Sequence, residues 1–359
     1  MNVYGDLSAV GQEYVGIFPL LDWHHINGVT AEHATPIVLC PDKGSSTVPQ
    51  DPQEFVGGVS DGVSTAVVMD TRTHNLRAHR AWLLLDDSVV AMGSALVDTV
   101  AKADVHTTLA SRLLPPHTSP GGVVTVGFTN GTVTSINDGE YAWPAGNVSW
   151  FHAAGIGYGL VGTTVTPPIT LSIATKTGNW SLIGPFPGSS SGRLLTAWIP
   201  HGPLTAAPGG EYLYQVYANV SATEMPTLVS GSAGVSCLTN TPTLQGAVDA
   251  HAQLAAVIIW PGDAAASYTC ATGWAGLGPL RLASNTPGLV LVRQVADQLH
   301  VAFASPTAIG ASVKITVSGV TATGTGCLSS GGDTIVTIPL PTSADLTGAS
   351  VVATCTISA

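Results

Sequence analysis

The densest group of chemically capable side chains is Asp22-Trp23-His24-His25, inside IFPLLDWHHINGVT (17–30). A carboxylate beside two imidazoles can ligate a metal or move a proton, and an adjacent indole can stack on a sugar ring. Ligation needs lone pairs that converge on one point. Neighbouring residues of a strand point to opposite faces, so on a strand His24 and His25 diverge, and no metal is expected. The spacing matches no helical HExxH or paired-cysteine pattern. Without a ligand, Trp23 serves as a core anchor and Asn27-Gly28 as the turn after the strand.

The other candidates are weaker. FVGGVSDG (55–62) holds a serine beside an aspartate, but Val59 and Asp61 flank Ser60, so it is not a GxSxG elbow. No spacing identifies a base for a Ser–His–Asp triad. Glycines in such a stretch serve a tight loop. Asp86-Asp87 sits between two apolar runs and fits a turn better than a pair of catalytic carboxylates. No phosphate-loop motif occurs, and no cofactor is expected.

The elements that must hold these residues are short and β-like. TAVVMDT (65–71), the two halves of AWLLLDDSVVAMGSAL (81–96), EYLYQVYANV (211–220), LAAVIIW (254–260), ASVKITVSGV (311–320) and DTIVTIPL (333–340) are strand-length runs bounded by turn formers. GGVVTVGFTNGTVTSI (121–136) carries Asn130-Gly131 between two such runs, the strongest hairpin signal in the chain. LQGAVDAHAQLAAV (244–257) has helix-forming alanines, but its internal glycine and the β-branched residues that follow favour strand. Strands so spaced predict an all-β protein built of sandwiches. The small-residue stretch LVSGSAGVS (228–236) is the expected boundary, giving domains 1–230 and 231–359.

Composition excludes several partners. The 359 residues are 45% hydrophobic and only 9% charged, with 11 Lys plus Arg and a net charge of −11. An average soluble protein is about 25% charged. With no basic cluster to neutralise phosphates, nucleic acid is not an expected partner. No apolar run reaches the ~18 residues of a spanning helix, so no membrane contact is expected either. A monomer is expected.

Of the five cysteines, Cys237, Cys270, Cys327 and Cys355 cluster late in the chain, and Cys40 stands apart. Links Cys237–Cys270 and Cys327–Cys355 are expected, with Cys40 free, although spacing leaves other pairings of the four open. Sequons at Asn130, Asn147, Asn179 and Asn219 are expected glycosylation sites, and with the low charge they point to an extracellular protein. MNVYGDLSAVGQEY (1–14) has neither the basic nor the apolar region of a signal peptide, so that peptide is expected to be missing from this chain.

Read in order, several segments resemble polysaccharide lyase family 8, the hyaluronate, chondroitin and xanthan lyases. YVGIFPLLDWHHINGVT (14–30) is similar to the family's Y..IFPxWDWxRIPGTT, and EFVGGVSDGVSTAVVMD (54–70) to FVGGVSDGxYGVAAMD. RAHRAWLLLDDSVVAMGSAL (77–96), KTGNWSLIG (176–184), LTAWIPHG (195–202) and YLYQVYANVSATEM (212–225) have family counterparts in the same order. So do LTNTPTLQGAV (238–248) and PGLVLVRQVADQLHVAFASPT (287–307) in the C-terminal domain. The departures are His24 for a basic Arg or Lys, Asn27-Gly28-Val29-Thr30 for Pro-Gly-Thr-Thr, and Val63-Ser64 where a Tyr follows SDG.

The resemblance implies a large antiparallel β supersandwich followed by a smaller C-terminal β-sandwich. It implies an activity on uronic-acid-containing polysaccharides by β-elimination. It places the catalytic Asn, His, Tyr and Arg in an N-terminal α/α toroid, which is expected to be missing upstream. Acidic polysaccharide is then a partner through that toroid, and this chain alone is expected to be inactive. Asp22, Trp23, His24, His25 and Asn27 become expected substrate contacts on an edge facing the cleft. The alternative is a free-standing carbohydrate-binding or structural β-module without catalysis.

Overall fold

A computed structural model describes residues 16–33, 54–73, 76–98, 103–119, 121–161, 165–205, 209–230, 234–262, 266–272, 279–310 and 312–358. Cys40 lies outside them. Strands dominate. Among the described residues the helical turns are Phe18–Leu20, Trp180–Leu182, Met225–Val229 and Ala344–Leu346. The chain is all-β, as expected, and it forms two compact units. The first is built on Leu96–Val229 with 16–33. The second is built on Ser230–Ala359 with 54–72 and 77–95, so the chain passes between the units more than once.

In the first unit a five-stranded antiparallel sheet runs in the order Thr30–Glu32, Val105–Leu114, Ser189–Gly202, Ile169–Asn179, Gly139–Trp143. Gly210–Ala218, Ile156–Val161, Val148–Ala153, Val124–Phe128 and Val133–Ile136 follow one another in a second antiparallel sheet. The Asn130-Gly131 hairpin joins the last pair, but only Gly131 takes a positive φ, 83°. Small residues let rings settle between strands. A Cβ on Gly127 would lie 2.0 Å from the indole of Trp150, which is itself 2% exposed.

In the second unit a seven-stranded sheet and a five-stranded sheet enclose one core containing Tyr268, Phe303, Val313, Ile315, Val317 and Val336. Ser312–Ser318 shows why: Val313, Ile315 and Val317 are buried while Ser312 and Lys314 between and beside them are exposed, the period-2 pattern of a one-faced strand. The alanine-rich stretch folds as two strands, Leu244–Asp249 paired with Leu254–Ile259, because the Asp249 carboxylate caps the turn by accepting from the backbone N–H of His251 (3.0 Å) and Ala252 (3.1 Å). Disulfides Cys237–Cys270 and Cys327–Cys355, with Cα separations of 5.4 and 5.9 Å, each tie the seven-stranded sheet to the five-stranded one.

SDG anchors the second unit rather than reacting. Asp61 receives N–H bonds from Val63 (2.9 Å) and Ser64 (2.7 Å), and its other oxygen accepts from Arg293 Nε at 2.7 Å. The Ser64 hydroxyl donates to Asp86 at 2.9 Å.

Candidate functional site

The segment that opened the sequence analysis folds as a turn, not a strand. His25 N–H donates to the Asp22 carbonyl at 2.8 Å, closing a β-turn over 22–25. Asp22 occupies the first position, where aspartate is favoured because its side chain can bond its own backbone two residues on. Here Asp22 Oδ1 accepts from His24 N–H at 3.0 Å. The turn folds both imidazoles back to the carboxylate: His24 Nδ1 lies 3.3 Å from Oδ1 and His25 Nδ1 2.9 Å from Oδ2. The divergence expected of adjacent strand residues therefore does not occur.

Asn27 and Trp23 have different fates. Asn27 is buried, and its carbonyl oxygen accepts from Ser111 N–H on strand Val105–Leu114. Gly28, at φ 72°, donates to the Thr108 carbonyl at 2.8 Å, so the turn is fastened to that strand. Trp23 does not anchor the core. It is half-buried and lies against the exposed ring of Phe18, with centroids 6.3 Å apart and planes 14° from parallel. Ile17, Leu20 and His25 are the buried side chains at this end of the segment.

Three further residues that spacing did not single out join the turn. The pairing of Ala31 with His106 and the bond from His33 N–H to the Asp104 carbonyl (3.0 Å) set His33 beside His106. Their rings are 4.1 Å apart, and His25 is 4.3 Å from His33. His25 Nε2 lies 3.3 Å from His106 Nδ1. Trp198 packs on His25 at 4.7 Å and on His106 at 5.7 Å. The register of its strand shifts between Ala197 and Trp198, a β-bulge of the kind that re-aims side chains. Nearby, His201 Nε2 is 2.8 Å from the Thr107 hydroxyl, itself 2.9 Å from the Thr30 hydroxyl. The only signal in the sequence was the number of histidines, 11 in a chain with 11 Lys plus Arg.

Burial sets the charge state. Desolvation, reinforced by repulsion from His106 and His25, pushes His33 down to about 3. Desolvation and repulsion from His25 push His106 down to about 4, and desolvation does the same to His201. All three shifts favour the neutral imidazole at pH 7. Asp22 is held below the ordinary carboxylate range by the His25 hydrogen bond, against burial, with help from the His24 N–H. Imidazoles gathered beside an ionised carboxylate can hold a cation.

The chain forms two compact all-β units, each built of antiparallel sheets. The chain belongs to polysaccharide lyase family 8: the model of the family's super-sandwich domain matches residues 5–229, and that of its C-terminal β-sandwich domain matches residues 236–314. The chain is 28% identical over 308 residues to a chondroitinase-AC of Pedobacter heparinus, a match covering 84% of this chain and 39% of that protein. It is 27% identical to a xanthan lyase of a Bacillus species, over 65% of this chain and 24% of the relative. A hyaluronate lyase of Thermasporomyces composti is 25% identical over 84% of this chain and 35% of the relative. Among solved structures, a chondroitinase AC lyase superposes with a TM-score of 0.74 and 22% identity, over 96% of this chain and 45% of that one. A Paenibacillus xanthan lyase gives 0.73 and 18%, over 97% and 32%. The chain thus spans about two fifths or less of the length of these curated relatives.

Proposed function

We propose that this chain is the β region of an extracellular lyase that cleaves uronic-acid-containing polysaccharides by β-elimination. The observation that supports this most is the match of both family domains, in order, across residues 5–229 and 236–314. In such a reaction a base takes the proton beside the uronate carboxyl, a second group stabilises the enolate-like carboxylate, and an acid protonates the departing glycosidic oxygen. The proposal assigns those roles to an α/α toroid of the kind the family resemblance supplies, and to this chain the role of scaffold and one wall of the cleft. The chain's net charge of −11 and its 11 Lys plus Arg suit a scaffold better than a carboxylate-binding surface.

Of the five expected substrate contacts, Trp23 with Phe18 offers an accessible aromatic face for a sugar ring. Asp22, His24 and His25 bond one another, and Asn27 is spent on Ser111. Extracellular placement is supported by the two disulfides, and by Asn130, Asn147, Asn179 and Asn219, all exposed and all proposed as glycosylation sites.

The test follows ultraviolet absorbance of unsaturated uronate products from hyaluronan, chondroitin sulfate and xanthan. The chain alone is expected to give no turnover, and the chain joined to a family toroid is expected to give turnover. Turnover by the chain alone that disappears in His24→Ala or His25→Ala would overturn the scaffold role. Failure of every toroid fusion, with sugar binding retained, would favour a free-standing carbohydrate-binding module.

A further inference from the structure

We propose that His25, His33 and His106 form a binding site for a divalent transition-metal ion of the zinc class, with His25 oriented by Asp22 and a fourth position left for water or an added ligand. One ligand atom from each of the three histidines lies within 4.8 Å of the others. The 3.3 Å between His25 Nε2 and His106 Nδ1 is the edge of a tetrahedron whose centre is about 2.0–2.1 Å from each nitrogen. Since the third nitrogen lies no more than 4.8 Å from the other two, bringing it to that edge takes ring rotation on the order of an ångström, and less than about two.

Three features suit the cluster to an ion. First, Asp22 Oδ2 lies 2.9 Å from His25 Nδ1, which places the proton on Nδ1 and leaves the Nε2 lone pair facing His106. A carboxylate behind a ligating imidazole is a recurrent outer partner in zinc sites, where it fixes the tautomer and raises basicity. Second, His33 Nε2 is buried with no hydrogen-bond partner among the described residues. An orphaned buried nitrogen is costly unless something binds it, and a metal ion would. Third, the ligands come from separate elements: His25 from the turn, His106 from strand Val105–Leu114, and His33 just past strand Thr30–Glu32. Trp198 covers one side of the group. Three imidazole nitrogens as ligands favour zinc, cobalt, nickel or copper over calcium or magnesium, which prefer oxygen ligands.

A second trio, Asp22, His24 and His33, shares one member and competes for that role. It is the weaker alternative, because both Asp22 oxygens already bond the two turn histidines.

The experiment is calorimetric titration of chelator-stripped chain with zinc chloride at neutral pH, with cobalt absorption as a second readout. One zinc per chain is expected, at micromolar affinity or tighter, with the intense visible bands of four-coordinate cobalt. His33→Ala and His106→Ala are each expected to weaken binding at least tenfold, and His106→Gln, which keeps the volume filled, likewise. His251→Ala and His300→Ala, outside the cluster, are expected to bind as the parent does. Circular dichroism separates lost binding from lost fold, and a variant that does not fold is replaced by its Gln counterpart. Absence of stoichiometric binding overturns the proposal. So does loss of binding in His24→Ala together with full retention in His106→Ala and His106→Gln, which would transfer the ion to the competing trio. The lyase proposal stands or falls separately, because the readout here is binding and not turnover.

Discussion

Arg293→Ala should be among the most damaging single changes in the second unit. The guanidinium is the hub of the SDG loop: Nε donates to Asp61 at 2.7 Å, Nη2 to the Ser64 hydroxyl at 2.7 Å and Nη1 to the Ala252 carbonyl at 3.0 Å. Asp86 lies 3.5 Å from Nη2. The Asp61 side chain is 5% exposed and that of Arg293 11%, so truncating the arginine leaves a carboxylate with little access to water. Removing one partner of a buried pair costs about 3–5 kcal/mol. For a unit of this size that lowers the midpoint of its thermal transition by on the order of 10 °C. Arg293→Lys should cost less, since the charge remains and only the fork is lost.

Acid provides an independent check. Burial raises the pKa of Asp61, but the Arg293 bond and the N–H groups of Ser64 and Val63 outweigh it, and the net shift is downward. A carboxyl with a depressed folded-state pKa contributes stability that is present above its unfolded value, about 4, and is lost as pH falls through the folded value. The gap between parent and Arg293→Ala should therefore narrow on acidification below about pH 4. The assay is urea unfolding by circular dichroism and tryptophan fluorescence, with the cycle Asp61→Asn, Arg293→Met and the double variant. A cost below about 1 kcal/mol, or a double variant equal to the sum of the singles, would refute the reasoning, because either result would mean the two groups are not coupled.

Further outcomes follow from the same structure. Asn27→Ala should destabilise the first unit by about 1–3 kcal/mol in urea melts, since it orphans the Ser111 N–H against which the turn is fastened. Gly127→Ala should cost about 1–3 kcal/mol and change the near-ultraviolet circular dichroism of tryptophan, because its Cβ would fall 2.0 Å from the Trp150 indole. Removing either disulfide by paired Cys→Ser changes, closing separations of 33 and 28 residues, should cost about 3–4 kcal/mol of stability against denaturant by loop entropy.

Much of the architecture was legible because strand formation is local. Alternation in ASVKITVSGV, β-branched runs closed by glycine or proline, and an Asn-Gly hairpin each specify a strand or turn from a few neighbouring residues. Fold class followed from their number and spacing, and the family from the order of longer segments such as EFVGGVSDG and IFPLLDWHH. The balance of 22 acidic against 11 basic residues disfavoured a polyanion-binding surface without any coordinates.

The grouping of side chains around the turn was not local. His25, His33 and His106 meet because Thr30–Glu32 pairs with Val105–Leu114 in one register, and a shift of one residue would turn His106 to the other face. Trp198 and His201 arrive only through a third strand whose bulge sets their direction. Whether Asp22-Trp23-His24-His25 formed a strand or a turn decided where both imidazoles point. That choice rested on one hydrogen bond from His25 N–H to the Asp22 carbonyl and on the Asn27 clamp to a strand more than eighty residues away. The sequence determined which groups were present and that β strands would make up the scaffold around them. Only tertiary pairing, which is set by burial and register rather than by neighbouring residues, decided which of them share a point in space.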